Sequence, residues 1–334
     1  MWNILQYCNI YDILEASKIH QVIKSQTMRL FTFFAGLFLS LSAHSAELIL
    51  KPMKVASDIY AVIGDLGGQT YENEGLNNNL GFVVTSHGVL VINTGPSMRV
   101  AKALHAAIKN ITPQPVKWAV NVNSQNHQWL GNGYFKSIGT VILAHKEADR
   151  VMRDVGETQI AANKTLLKEK AAGTTLTYPD ELVDDKREIK LGNTVVQLLH
   201  FGQAHAPGDI VVWLPQQRVV FAGDIVYTER MLVVLPISHS GSWVQVFDKL
   251  AQLGPMTIIP GHGHPANLAR ARKETRDYLV YLRNEVRKFI DKGEMQHDAE
   301  NKIDQSRFKY LANYEFLARR NAGQIYLEIE KEAF

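Results

Sequence analysis

Three short segments of the chain place His or Asp among Gly and Pro directly after apolar runs. The segments are Gly202-Gln203-Ala204-His205-Ala206-Pro207-Gly208-Asp209, Phe221-Ala222-Gly223-Asp224 and Pro260-Gly261-His262-Gly263. Gly and Pro favour tight turns, and turns that follow strands display their side chains at a sheet edge. Imidazole and carboxylate groups gathered at such an edge could bind a divalent metal ion or transfer protons.

Each segment taken alone has an ordinary structural explanation. His205 could be a hydrogen-bonded loop histidine, Asp224 a turn or helix-cap residue, and His262 an incidental residue in a surface turn. Chance would have to supply all three spacings independently, so the ordered set indicates a functional site. In the order G-x-x-H-x-P-G-D, F-A-G-D and P-G-H-G, the chain resembles the metallo-β-lactamase-fold hydrolases.

The resemblance extends from Asn79-Leu80-Gly81-Phe82 to beyond Pro260-Gly261-His262-Gly263. Within the superfamily the chain looks most like exported hydrolases of the sulfur-oxidation and quinoprotein-relay type, which share a helix with Trp243 and Leu250 before P-G-H-G. The resemblance implies an α/β (α+β) fold, a four-layer αββα sandwich with the site at the sheet edge. The residues that match metal ligands of the family are His205, Asp224 and His262.

The central H-x-H-x-D-H motif of that family is degenerate here, and two alignments are possible. When Leu130-Gly131-Asn132 is aligned with the family's Gly-Asn or Gly-Gly pair, Asn123 and Gln125 replace the first two histidines. His127 then stands at the Asp position and Gln128 at the last His position. This alignment removes three imidazoles and one carboxylate from the motif.

The second alignment is shifted by one residue. It matches Asn126-His127 to the Asp-His pair and leaves Val122 and Ser124 at the first two His positions. Both alignments delete the paired histidines of the first metal, and both put His127 at a position of the second metal. His127 is therefore a predicted ligand in either register.

Charge limits how many metal ions such a site can hold. Two zinc ions carry four positive charges, and Asp224 is the only carboxylate at a ligand position. Asn93 also replaces the Asp of the family's D-T-G motif, which orients metal ligands. The sequence therefore predicts at most one divalent metal, zinc, or no metal at all.

The predicted metal ligands are His127, His205, Asp224 and His262, with His205 and Asp224 catalytic. The predicted substrate-binding or supporting residues are Asn93, Asn123, Gln125, Gln128 and Asp209.

Two functional hypotheses remain open at this point. In the first, one metal activates water to hydrolyse an ester, thioester or amide, and His205 acts as a base if it is not a ligand. In the second, the protein is a non-catalytic periplasmic binding protein whose amide-rich segment, with Trp129, holds a polar small molecule. A β-lactamase in the strict sense is disfavoured by the missing histidines.

The N-terminal region predicts export. Residues 30–41 form an apolar run of twelve, preceded by Met28-Arg29 and followed by small residues, which is the layout of a secretory signal peptide over residues 28–46. An uncleaved anchor is the alternative, although the run is shorter than the ~20 residues of a bilayer span. Residues 1–27 are interpreted as a mis-assigned upstream segment. The single Cys8 lies within it, so the mature protein would have no thiol, consistent with a periplasmic or secreted location.

Composition and pattern complete the prediction. The 334 residues include 36 basic and 33 acidic side chains in a mixed distribution, which disfavours nucleic acid as a partner. A small molecule is the expected partner, without stable membrane insertion after cleavage, and no protein partner can be inferred.

We expect one domain over residues 47–330. Predicted strands cover residues 59–63, 80–84, 89–92, 116–120, 195–200, 210–214, 219–222 and 257–259, and predicted helices cover residues 99–109, 146–169, 243–253 and 267–292.

Overall fold

Two β-sheets form the centre of the structure, a computed structural model that describes residues 47–332. The first sheet contains β1 (Met53–Ala56), β2 (Ile59–Val62), β3 (Leu80–Thr85), β4 (Gly88–Ile92), β5 (Val116–Asn121), β6 (Val141–His145) and β7 (Glu181–Val183), side by side in that order. The second contains β8 (Lys186–Leu191), β9 (Thr194–Leu199), β10 (Val211–Leu214), β11 (Val219–Tyr227) and β12 (Thr257–His262), also in order. The predicted signal peptide, the upstream segment and Cys8 lie outside the described residues.

Helices connect and cover the sheets. They are α1 (Met98–Lys109), α2 (Asn126–Trp129), α3 (Asn132–Ser137), α4 (Lys146–Leu167), α5 (Ser240–Gln252), α6 (Leu268–Ala271), α7 (Asp277–Asp291), α8 (Gln296–Lys302) and α9 (Tyr314–Glu332). A π-helical turn, Arg272–Arg276, joins α6 to α7. None of the helices in residues 47–332 combines the length and apolar character that a bilayer span requires.

The alternation of side chains along buried strands produces the layers. In β4, Leu90 and Ile92 belong to the core between the sheets, whereas Val89 and Val91 pack with α1 on the outer face. In the second sheet, Val212 faces the inter-sheet core and Trp213 the outer core beneath α5, α7 and α9. A strand buried on both faces shows this two-sided apolar pattern. The predicted αββα sandwich is confirmed, and residues 48–332 lie within one compact unit.

The strands that carry Asp224 and His262 are longer than predicted. Both residues were expected in turns after their strands, but β11 continues to Tyr227 and β12 includes His262. The two strands pair in parallel through Gly223 with Pro260 and Tyr227 with His262, with register shifts between these pairs. The irregular pairing extends the ladder past the Gly-Asp and Pro-Gly sequences, which resemble turns when taken alone.

Several elements were missed. The predicted elements include neither β1 nor β6 to β8, nor the short helices α2, α3 and α8, nor the C-terminal helix α9. Strand β8 has exposed and half-exposed residues at most positions and a charged sequence, so its apolar content is low. Helix α9 contributes Leu317, Ile325 and Ile329 to the core on the outer face of the second sheet.

Candidate metal site

His127, Asp224 and His262 place three ligand atoms within 4.8 Å of one another. All three residues are buried. His262 Nε2 lies 3.5 Å from Asp224 Oδ1, and His127 Nε2 lies 3.9 Å from Asp224 Oδ2. These separations are too long for good hydrogen bonds. They fit two atoms that each lie about 2.1 Å from one ion, which stand about 3.0–4.2 Å apart. We call these three residues the metal half of the site.

Glycines allow the carboxylate to reach this position. A Cβ on Gly261 would overlap Asp224 Oδ1 and would lie 2.7 Å from the Gly223 carbonyl carbon. Gly223 adopts a φ of 52°, and a Cβ there would lie 2.7 Å from Val122. The small residues of the F-A-G-D and P-G-H-G segments are therefore needed because the Asp224 side chain lies directly against the neighbouring strand.

A backbone carbonyl fixes the tautomer of His262. Its Nδ1 lies 2.5 Å from the Asn77 carbonyl oxygen, an acceptor that requires a proton on Nδ1. Nε2 then carries the lone pair and faces Asp224, as in metal-binding histidines whose second nitrogen donates to a carbonyl. Burial, together with the positive charge of Arg230, holds the pKa of His262 well below its ordinary value. The ring is therefore neutral and able to bind a metal.

His205 is fixed in the same way but is not part of the metal half. Its Nδ1 lies 3.0 Å from the Val233 carbonyl oxygen, so its Nε2 carries the lone pair. Nε2 lies 3.8 Å from Asp224 Oδ2, and Gln125 Nε2 donates to it at 2.8 Å. Burial lowers the pKa of His205. His205 is thus a neutral imidazole whose lone pair is occupied by an amide.

Amides surround His205 where the family motif has histidines. Asn123 Nδ2 donates to Asp209 Oδ1 at 2.5 Å, and Asn123 Oδ1 accepts from the Gln125 backbone at 2.9 Å. The Ala206 N–H donates to Asp209 Oδ2 at 2.8 Å. Burial raises the pKa of Asp209 to about 8, and the charge of Asp224 adds to the effect. Asn123, Gln125, His205 and Asp209 form the amide half of the site.

The backbone around α2 determines which side chains face the site. Thr94 N–H donates to the Gln128 carbonyl at 2.8 Å, and Gly131 N–H donates to the Gly95 carbonyl at 2.9 Å. Val122 consequently packs in the inter-sheet core, while Asn123 and Gln125 face Asp209 and His205. The structure therefore places side chains as in the alignment based on Leu130-Gly131-Asn132, not as in the shifted one.

Gln128 joins the metal half through Asp224. Its Nε2 donates to Asp224 Oδ2 at 2.8 Å. Burial alone would raise the pKa of Asp224, but interactions with His127, His262 and His205 outweigh it, and the pKa lies below its ordinary value. Three buried polar atoms here have no hydrogen-bond partner among the described residues: His127 Nε2, Asp224 Oδ1 and Gln128 Oε1. Buried polar atoms without partners are costly, and a cation would satisfy all three, with His127 in the tautomer that leaves a lone pair on Nε2, so the residues fit one divalent metal.

Asn93 supports the backbone and contacts no predicted ligand side chain. Its Oδ1 accepts from the Val122 N–H at 3.1 Å, and its Nδ2 donates to the Asn79 carbonyl at 3.3 Å. Its φ of 60° is in the left-handed region, which Asn tolerates better than most residues. Asn93 therefore holds the start of the motif segment beside β3.

Two residues outside the predicted set contact His262. Arg230 is buried, with its Nη1 2.9 Å from His262 Nδ1; because Nδ1 donates to the Asn77 carbonyl, this is a contact between two donors, and the guanidinium charge acts by opposing protonation of the ring. Asn77 supplies the carbonyl described above. No local motif identifies Arg230. Asn77 acts through its backbone carbonyl, which any residue at this position would supply, so its side chain gives no signal either.

A model of the metallo-beta-lactamase superfamily matches residues 73–262. A metallo-beta-lactamase type 2 from Bacteroides fragilis is 25% identical over 228 residues, which cover 65% of this chain and 84% of that protein. A linear primary-alkylsulfatase from Pseudomonas sp. (strain ATCC 19151) is 22% identical over 281 residues, 72% of this chain and 53% of the relative. The chain thus spans about half of the alkylsulfatase.

Solved structures show the same fold. A stereoselective inverting sec-alkylsulfatase from Pseudomonas sp. superposes with a TM-score of 0.66 at 17% identity, covering 83% of this chain and 50% of that one. A metallo-beta-lactamase from Pontibacter korlensis superposes with a TM-score of 0.56 at 19% identity, covering 69% and 99%. The fold, the ordered segments around His205, Asp224 and His262, and the family match lead to one conclusion: the chain belongs to the metallo-beta-lactamase superfamily.

Proposed function

We propose that this protein is a hydrolase that uses a single divalent metal ion bound by His127, Asp224 and His262. The observation that carries the proposal is the set of buried ligand atoms in the metal half. Their separations fit a shared ion, and His262 is held in the tautomer that a metal requires. The predicted fourth ligand, His205, is not among the ligand atoms that lie within 4.8 Å of one another, and its Nε2 accepts from the Gln125 amide.

A bound divalent ion would supply Lewis acidity and lower the pKa of a bound water toward ~7. The protein groups would prepare the rest of the reaction. Asp224 stays ionised and orients its oxygens through the Gln128 amide. His205 is neutral and lies 3.8 Å from Asp224 Oδ2, so it can accept a proton once the Gln125 amide moves to a substrate oxygen. His205 and Asp224 are therefore the proposed catalytic residues.

The proposed substrates are esters, thioesters or amides of small molecules. The relatives are named β-lactamases and alkylsulfatases, so sulfate esters belong in the same panel. The test measures the metal content of the purified protein by mass spectrometry and its hydrolysis of chromogenic carboxylic esters, thioesters, amides and sulfate esters. We expect close to one equivalent of metal and turnover that Asp224→Ala abolishes.

A surface cluster provides a matched control. His239, Glu328 and Glu332 also place three ligand atoms within 4.8 Å of one another, but they are exposed or half-exposed. His239→Ala should leave metal content and turnover unchanged. Protein with no bound zinc, iron or manganese, even after incubation with each ion, would rule out the hydrolase proposal.

The amide half favours a second candidate, a binding protein without catalysis. Asn123, Gln125 and Asp209 satisfy one another and His205 by hydrogen bonds, a polar lining that could hold a small molecule without any metal. A thermal-shift screen of small polar compounds tests this role. Turnover that disappears in Asp224→Ala but persists when every stabilising compound is removed would argue against it.

We also propose export to the periplasm or the medium, on the basis of the signal-like residues 28–46. Fractionation of cells that express the full chain, with N-terminal sequencing of the product, tests both the location and the cleavage site. Full-length protein retained in the cytoplasm would contradict the proposal.

A further inference from the structure

We propose that Gln128 is a fourth metal ligand, through Oε1, and that this amide shifts the ion preference of the site from zinc toward a harder divalent ion such as Mn²⁺. The inference rests on the proposed single-metal site. It concerns only the identity of the donors and of the ion.

The side chain of Gln128 lies against the metal half and carries an oxygen without a partner. The residue is fully buried, and its Nε2 donates to Asp224 Oδ2 at 2.8 Å. Since the oxygen and nitrogen of an amide are about 2.2 Å apart, Oε1 lies within about 5 Å of Asp224 Oδ2. Oε1 has no hydrogen-bond donor among the described residues. A buried carbonyl oxygen without a partner costs about 1–3 kcal/mol, and a cation in the metal half would remove that cost.

Hydrogen bonds of the Gln128 backbone fix the position of this residue beside Asp224. Its carbonyl accepts from the Thr94 N–H at 2.8 Å and from Asn121 Nδ2 at 3.3 Å, and its N–H donates to the Gln125 carbonyl at 2.9 Å. The residue is thus fixed in α2 between buried partners. Asn123 differs, because both ends of its amide have protein partners. Gln128 therefore combines a fixed backbone with an amide oxygen that lacks a partner.

The resulting donor set is unusual for zinc. His127 and His262 contribute nitrogen, and Asp224 and Gln128 contribute oxygen. Zinc in proteins is bound by Cys, His and carboxylate groups, whereas neutral amide oxygens suit harder ions. Because Mn²⁺ binds most protein sites more weakly than zinc, the signature is the ratio of the two affinities and not the absolute affinity for Mn²⁺.

The experiment compares zinc and Mn²⁺ affinities, measured by competition with chelators, in the purified protein and three variants. Gln128→His introduces an imidazole and should raise the zinc-to-manganese affinity ratio about tenfold or more. Gln128→Glu keeps an oxygen and should leave the ratio nearer that of the unmodified protein. Gln197→Leu is the control, because this amide contacts Glu188 on β8 and lies outside the site, and it should leave the ratio unchanged. Thermal unfolding of the metal-free variants verifies folding.

Pulsed electron paramagnetic resonance of the Mn²⁺-loaded protein gives a second readout, the number of coupled imidazole nitrogens. We expect two, from His127 and His262, rising to three in Gln128→His. Three in the unmodified protein, or an affinity ratio that Gln128→His leaves unchanged, would overturn the inference while the proposed function stands. Failure of the unmodified protein to bind either ion would instead refute the proposed function itself.

Discussion

The two halves of the site both contain buried histidine, aspartate and amide groups, but they differ in whether their polar atoms have hydrogen-bond partners. In the metal half, His127, Asp224 and His262 approach one another without direct hydrogen bonds, and acceptor atoms remain without donors. In the amide half, Asn123 and Gln125 complete the hydrogen bonds of Asp209 and His205. One half therefore leaves buried polar atoms that a cation would satisfy, whereas the other is already satisfied by the protein.

Under the proposed function, the comparison indicates how a metal position could be lost without loss of the fold. His205 keeps its orientation through the Val233 carbonyl, and the Gln125 N–H donates to the Nε2 lone pair that would otherwise be available to a cation. The amide N–H groups of this half satisfy its acceptor atoms directly. Asp224 touches both halves, and this makes it the residue on which the comparison can best be tested.

Replacing Asp224 should have the largest effect. Asp224→Ala removes the only ionised carboxylate of the metal half and leaves three buried imidazoles around it. We expect the metal affinity to fall by roughly 100-fold or more, with complete loss of turnover. Isothermal titration with zinc and Mn²⁺ measures the effect. Glu328→Ala, in the surface cluster, is the control, and equal losses in both variants would contradict a buried site.

Rebuilding the paired histidines tests the amide half. Asn123→His with Gln125→His places two imidazoles beside His205, which together offer the nitrogen ligands that a second zinc accepts. We expect the metal content to rise from one equivalent to nearly two, measured by mass spectrometry after dialysis. The pair Asn123→Ala with Gln125→Ala should remain at one. Unchanged stoichiometry in the histidine variant would show that lost charge and not lost ligands excludes the second ion.

A smaller effect is expected from Gly261→Ala. The new Cβ would overlap Asp224 Oδ1, so the carboxylate must turn away from His262. We expect metal affinity to fall about tenfold and the free energy of unfolding to fall by about 1–3 kcal/mol. Gly68→Ala is a suitable control, since a Cβ there meets no atom within 4 Å. Binding that survives in Gly261→Ala would mean that Asp224 Oδ1 is not a ligand.

The two halves of the site also differ in how well the sequence alone predicts them. The segments with His205, Asp224 and His262 were recognisable because their residue types and spacing are local. The choice between two registers for Asn123 and Gln125 was not, because it depends on contacts of Thr94 and Gly95 with a segment more than 30 residues away.

For the fold as well, elements with a local sequence pattern were predicted and elements that depend on distant partners were not. The apolar runs of the buried strands predicted most of both sheets, since their periodicity is local. The charged edge strand β8 and the extension of β11 and β12 through the site depend on partners that lie far away in sequence. Arg230 and Asn77 became visible only through their contacts with His262, for the same reason.

The prediction with the least effect on the metal half concerns pH and a pair of histidines behind the amide half. His145 stacks on His200 with 4.0 Å between ring centroids, and His200 Nδ1 lies 2.8 Å from the Asp209 carbonyl oxygen. Burial, with added repulsion from His200 and Lys146, lowers the pKa of His145 from 6.5 to about 4. Between these values the unfolded chain binds more protons, so the free energy of unfolding decreases as the pH falls from about 6.5 to about 4.

At about 1.4 kcal/mol per pKa unit, His145 alone should account for a decrease on the order of 2–3 kcal/mol. His145→Asn removes the titration and keeps an acceptor for the Glu147 N–H at the start of α4. Chemical denaturation of the metal-free proteins at several pH values measures the difference, and subtraction cancels the contributions of the carboxylates. We expect the variant to gain relative stability steadily toward pH 4. A difference that stays constant with pH would mean that His145 is protonated as easily in the folded protein as in the unfolded chain, and that the packing behind the amide half is looser than the stacked rings indicate.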